Sequence, residues 1–141
     1  MKAEASHPIK KLGRFWVYWF PVVVYMLLIF FLSSRSTLPA LPRIRYADKI
    51  CHCIEYAILG YLLTRAFIHE EGSLLSRKAL LLAIMIAIIF GLSDEIHQLF
   101  VPLRQADIFD LLADSLGASI GAWGAFMMQW FINHRQRKGH A

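Results

Sequence analysis

The side chains of this chain that could do chemistry lie in three short stretches: "DKICHCIEY" (48–56), "SDEIHQ" (93–98) and "RQADIFDLLAD" (104–114). Imidazole exchanges protons near neutral pH and is the common general base or acid, and a carboxylate on a neighbouring helix would orient it. Arg104 carries a planar fork that binds phosphate or carboxylate through two parallel hydrogen bonds. These types give a candidate catalytic set of His52, Glu55, Asp94, Glu95 and Asp110. Lys49, Gln98, Arg104, Asp114 and Arg35 form a candidate substrate-binding set.

Spacing decides which of them can meet. Asp48, His52 and Glu55 fall at i, i+4 and i+7 and share one helical face. Asp94, His97 and Gln98 share another, with Glu95 turned about 100° away. In the third stretch Asp107, Asp110, Asp114, Gly117, Gly121 and Gly124 recur in steps of three and four, a seam of about 3.5 residues per turn. Glycines on such a seam let membrane helices approach closely, so the acids that continue it are expected to face the interior. Cys51 and Cys53 flank His52, but consecutive helical residues point about 100° apart and cannot converge on one ion. Both thiols are expected to pack.

Composition says what must hold these groups. The chain is 57% hydrophobic and 18% charged, against roughly 45–50% and 25% in an ordinary globular domain. Residues 15–32, "FWVYWFPVVVYMLLIFFL", carry no charge, which is the length of a membrane span. Further apolar blocks cover 50–68, 79–93 and 108–132, the first of them diluted by His52, Glu55 and Arg65. The run at 15–32 exceeds a signal-peptide core, and "LSSRSTLPALP" after it lacks a small-residue cleavage pattern, so it reads as an uncleaved anchor. The fold class is therefore an all-α integral membrane bundle of four transmembrane helices. Its parts are a basic segment at 1–14, a four-helix domain at 15–132 and a basic tail at 133–141.

Of the 15 lysines and arginines, ten fall on the side of the N-terminus and five on the other. The positive-inside rule then makes both termini cytoplasmic and the polar ends of the helices external. The net charge of +5 reads as this topology signal, and no nucleic-acid partner is expected. Trp16, Trp19 and Trp130 suit the interfaces. "STLPALPRIRY" (36–46) reads as an outer loop that could cover a site. "HEEGSLLSRK" (69–78) reads as an inner turn broken at Gly72, with Ser76 as an N-cap. A charge at a helix centre costs about 2.5–3.5 kcal/mol and less near the interface. Acids so numerous need each other, an arginine, water or a cation.

"DKICHCIEYAILGYLL" followed by "DEIHQLFVPLRQADIFDLLADSLGASIG" resembles the VanZ-like family of small bacterial membrane proteins. The matching positions are Asp48, Lys49, His52, Glu55 and Tyr56, then Glu95 and Gln98, Pro102 and Arg104, and Asp110, Asp114 and Gly117. "FFLSSRS" closing the first span fits more loosely, and the likeness covers roughly residues 25–125. The family turn commonly reads Pro-Gly-Arg, whereas this chain has Leu103, a residue disfavoured at positive φ. Asp114 stands where an amide is common. The resemblance implies a multi-pass protein of the bacterial plasma membrane, in a family linked to glycopeptide (teicoplanin) resistance, and it implies no settled reaction.

The residues themselves suggest an outward-facing site that binds or acts on a lipid-linked envelope precursor or another anionic amphiphile. A proton- or cation-coupled transporter is the alternative, disfavoured because the polar groups occupy one half of the bundle only. A non-catalytic assembly module would use the same pocket. No cofactor is required and no metal ligand set is assigned. A divalent cation is the secondary reading, since His52, Glu55, Asp94, Glu95, His97, Asp110 and Asp114 supply suitable types.

Overall fold

Long uncharged runs can hide their backbone polar groups from lipid as helices, and the computed structural model, which describes residues 12–35 and 47–138, contains helices and no strand among them. The segments 1–11, 36–46 and 139–141, and with them most of the N-terminal basic segment and the expected covering loop, lie outside the described residues.

The first helix, α1, runs Phe20–Ser33 and is entered through a π-helical turn, Phe15–Trp19. Pro21 explains the wide turn. It has no N–H to donate and its ring would crowd the carbonyl of Val17, so the coil loosens ahead of it and Phe20 N–H reaches back to Phe15 O. Next come α2 (Ala47–Ile68), a short α3 (Ser73–Arg77), α4 (Ala79–Gln98) and α5 (Ile108–Lys138). Gly72, at φ 125°, breaks the chain before α3 as expected. Ser76 lies inside α3, and the residue that precedes α4 is Lys78, so the expected serine N-cap is not used.

Among the described residues three helices are long and apolar enough to cross a membrane: Leu12–Ser33, Ala79–Gln98 and Ile108–Lys138. The fourth expected span, α2, has 22 residues, about 33 Å at 1.5 Å per residue, but carries Asp48, Lys49, Glu55 and Arg65. Its exposed face is apolar nonetheless, with Ile50, Ile54 and Ile58 all 43% or more exposed. Leu27, Phe31, Leu81, Ile89, Leu116 and Trp123 continue an apolar exterior around the bundle. So much apolar surface belongs in lipid.

Buried side chains sit where α2 meets α4 and α5. Tyr56, Leu59 and Leu63 are at most 1% exposed. Ala79, Ala83, Ala87 and Gly91 present a ridge of small residues on α4 to them. The tightest contacts are backbone on backbone: Gly117 lies against Cys53 O, Gly121 against Ala57 O, and Gly60 against Ala118 O. Gly124 breaks the expected stripe, having open space around it. A straight helix drifts about 20° per heptad from a strict seven-residue repeat, and by Ala122 and Ala125 the buried line has moved one residue over.

Leu103 adopts φ 66°, so the left-handed turn persists without glycine. Its side chain is 87% exposed and contributes little packing in return. Left-handed backbone costs an L-residue roughly 1–2 kcal/mol, partly offset in a glycine variant by the greater entropy of its unfolded chain. Leu103→Gly is expected to stabilise the protein by about 0.5–1 kcal/mol, read as a raised unfolding midpoint in detergent.

Candidate functional site

The first residues of α2 and α5 meet through a lysine. Lys49 Nζ lies 2.7 Å from Asp107 Oδ2 and 2.7 Å from Asp110 Oδ1, and 3.4 Å from Asp48. Asp107 stands just before α5, where its Oδ1 also accepts from Phe109 N–H at 2.9 Å and so caps the helix. The hydrogen bond from Lys49 holds the Asp107 carboxyl below its ordinary range. Asp107 belonged to the acidic seam in the sequence, but its two roles, cap and lysine acceptor, were not legible there.

One turn deeper, His52 Nδ1 lies 3.0 Å from Asp114 Oδ1, with Asp114 fully buried. Glu95 comes to the same place from α4. It is 5% exposed, and its Oε2 accepts from Asp107 N–H at 2.9 Å. Glu95 lies about 100° round the helix from Asp94, yet both are buried. Asp94 and Glu95 both point inward because α4 lies in the groove between two neighbours, so two adjacent residues face different partners. The signal was present: Ala79, Ala83, Ala87 and Gly91 step by four residues and lead directly to Glu95.

Asp94 faces α1. Gln98 Nε2 donates to Asp94 Oδ2 at 3.3 Å and to Ser33 Oγ at 3.2 Å. Ser33, from "FFLSSRS", is 8% exposed and is a member of the cluster that spacing did not single out. His97 turns to α1 as well and packs on Phe30, ring centroids 4.4 Å apart, with Nε2 3.0 Å from Ser34 Oγ, outside the cavity lining. Tyr25 OH donates to Glu55 O at 3.2 Å, fastening α1 to α2.

Between α1, α2 and α4 these side chains enclose a cavity of about 60 Å³. Its polar lining includes Asp48, His52, Glu55, Asp94, Gln98 and Arg104. The Arg104 Nε donates to Arg35 O at 3.2 Å, placing the guanidinium at the rim. Arg35 itself is elsewhere, its guanidinium 4.5 Å from the Phe31 ring centroid on the outside of α1. Of the candidate residues, His52, Glu55, Asp94, Gln98 and Arg104 line the cavity, Lys49, Asp110 and Asp114 belong to the bonded layer between α2 and α5, and Glu95 joins that layer from α4. Cys51 lines the cavity and Cys53 backs onto Gly117; both are free thiols.

Four buried oxygens of this end lack a hydrogen-bond partner among the described residues: Tyr56 OH, Asp94 Oδ1, Glu95 Oε1 and Asp114 Oδ2. An orphaned buried polar atom costs about 1–3 kcal/mol, and four of them gather at this one end. The opposite end of the bundle is different. There Arg14 pairs with Glu71 at 2.6 Å and Trp19 Nε1 donates to Glu70 at 3.0 Å, both at the periphery.

Residues 6–129 match the family described as VanZ/LLP1. The chain belongs to the VanZ-like family. Its name carries the association with teicoplanin resistance. The chain is also similar to "Uncharacterized protein C11E3.10" of Schizosaccharomyces pombe, with 32% identity over 100 residues, covering 70% of this chain and 58% of that protein. This VanZ-like chain therefore spans less than two-thirds of the length of that relative. A fission-yeast relative also means that membership in the VanZ-like family does not by itself place a chain in a bacterium. No solved structure matches the chain.

Proposed function

We propose that this VanZ-like protein receives the polar head of a cell-envelope amphiphile, a lipid-linked precursor or an anionic lipid, in the cavity at its polar end, facing outward from a bacterial plasma membrane. The observation that carries this reading is the cavity itself: His52, Glu55, Asp94, Gln98 and Arg104 converge on it inside a bundle whose exterior is apolar. Drug-sized ligands occupy about 300–1,000 Å³, and about 60 Å³ suits one polar group of a larger molecule. The remainder of such a molecule would lie along the apolar exterior, which is the geometry of an amphiphile. An anionic group meets Arg104, while amine or hydroxyl donors of the same head meet Glu55 and Asp94. Any proton exchange with the bound head would use Nε2 of His52, since Asp114 occupies Nδ1. Against a transport path, the middle of the bundle is closed by Tyr56, Leu59 and Leu63 and by the glycine contacts.

Complementation of a deletion strain tests the reading. His52→Ala and Asp110→Asn are expected to reach the membrane at normal levels and to lose the envelope phenotype. Two variants that accumulate and complement fully would sink it. Incubating the purified protein with labelled envelope lipids separates turnover from holding: a covalently altered lipid means an enzyme, and retention of unaltered lipid that is lost in Arg104→Ala means a binding module.

A further inference from the structure

We propose that His52, Glu95 and Asp114 bind one divalent transition-metal cation where α2, α4 and α5 meet. One ligand atom from each residue lies within 4.8 Å of the other two. Ligands on a cation with bonds of about 2.1 Å stand about 3.0 Å apart when adjacent on an octahedron and about 4.2 Å apart when opposite. The His52 Nδ1 to Asp114 Oδ1 separation is 3.0 Å, that of adjacent octahedral ligands.

Two independent features point to a ligand. Asp114 is fully buried and Glu95 is 5% exposed, yet Asp114 Oδ2 and Glu95 Oε1 have no hydrogen-bond partner among the described residues. A bound cation would replace the proton between His52 Nδ1 and Asp114 Oδ1, while Glu95 Oε2 keeps the Asp107 N–H as its donor. Outer hydrogen bonds of this kind orient metal ligands. Gly91 lets Asp114 Oδ2 approach α4 closely: a Cβ there would lie 3.2 Å from that oxygen.

Charge supports the same conclusion. Glu55, Asp94 and Asp110 add to Glu95 and Asp114 at this end, against Lys49 and His52 as the bonded cations. A divalent ion offsets that excess where burial makes unpaired charge most expensive. One imidazole with two carboxylates suits Mn²⁺, Fe²⁺ or Zn²⁺, whereas Mg²⁺ and Ca²⁺ favour all-oxygen sets. The proposal goes beyond the head-group reading and does not need it.

The test uses full-length protein in nanodiscs of zwitterionic lipid, treated with chelator and titrated with Mn²⁺. Saturable binding of one ion per chain is expected, with electron-spin-echo modulation from a directly bound nitrogen. His52→Gln is expected to remove that modulation. Glu95→Gln and Asp114→Asn are expected to weaken binding at least ~10-fold, while Glu71→Gln, at the opposite end of the bundle beside Arg14, leaves it unchanged. No saturable Mn²⁺ binding at millimolar concentration would overturn the proposal, as would binding without nitrogen modulation or binding unaffected by Glu95→Gln. Should Asp114→Asn fail to fold, the wild-type nitrogen signal still decides. No envelope lipid is present, so failure here leaves the head-group reading standing, and loss of lipid retention leaves metal binding standing.

Discussion

Gly117→Ala and Gly121→Ala are each expected to destabilise the protein by about 3 kcal/mol, the upper end of the cost of overpacking. At both positions a methyl group would overlap a backbone carbonyl oxygen of α2, that of Cys53 or of Ala57. A side chain in the way can rotate, but a helical carbonyl cannot, so the two helices must part along their length. Parting them also undoes the side-chain bonds above the seam, His52 with Asp114 and Lys49 with Asp110. Gly60→Ala, opposite Ala118 O, should behave alike. Gly124→Ala is the internal control, with open space around it. It should be neutral or gain up to about 1 kcal/mol from helix propensity. Unfolding midpoints in mixed micelles, with the folded yield after purification, measure the series. Equal losses at Gly117 and Gly124 would refute the close α2–α5 approach.

Lys49→Met is expected to be the most damaging change among the charged residues. It keeps the volume of the stem and removes the ammonium that Asp107 and Asp110 share. The Asp110 side chain, 11% exposed, then faces another acid without its partner, a loss of about 1.5–3 kcal/mol for a hydrogen bond to a charged group. The pH dependence distinguishes this from lost packing. Lys49 holds Asp107 below its ordinary value of 3.8, so the unfolded chain binds that proton more readily than the folded one. The stabilisation is thus complete above the ordinary value and disappears as pH falls through the lower folded value. Wild-type stability should fall below about pH 4, and the gap to Lys49→Met should narrow there. A gap that stays constant from neutral pH into that range would mean the bridge is not the cause.

Much of this arrangement was legible in the sequence because two periodicities coincide. Asp110 and Asp114 lie on the same seam as Gly117 and Gly121, and a seam that packs backbone on backbone carries its acids inward with it. The i, i+4 spacing of Asp48, His52 and Glu55 likewise puts all three on the cavity. What was not legible depends on how many neighbours a helix has. Helical phase fixes the angle between Asp94 and Glu95 but not whether there is a partner on both sides, and α4 has one on each. His97 goes to α1 since Phe30 and Ser34 offer it a ring face and a hydroxyl. Ser33 is one hydroxyl among several near the end of α1, and its partner Gln98 lies 65 residues away. At Leu103 residue preference gave way to the turn, which must reverse the chain between α4 and α5 whatever residue stands there.

The glycine contacts between α2 and α5 have one more consequence. Axial sliding of two smooth helices by a single turn, about 5.4 Å, would carry His52 out of reach of Asp114. Carbonyls seated against Gly117 and Gly121, and Ala118 against Gly60, act as notches against such slippage. The imidazole and its carboxylate are therefore preorganised: the head group proposed above would meet a rigid dipole array and spend its interaction on shedding water rather than on rearranging the protein.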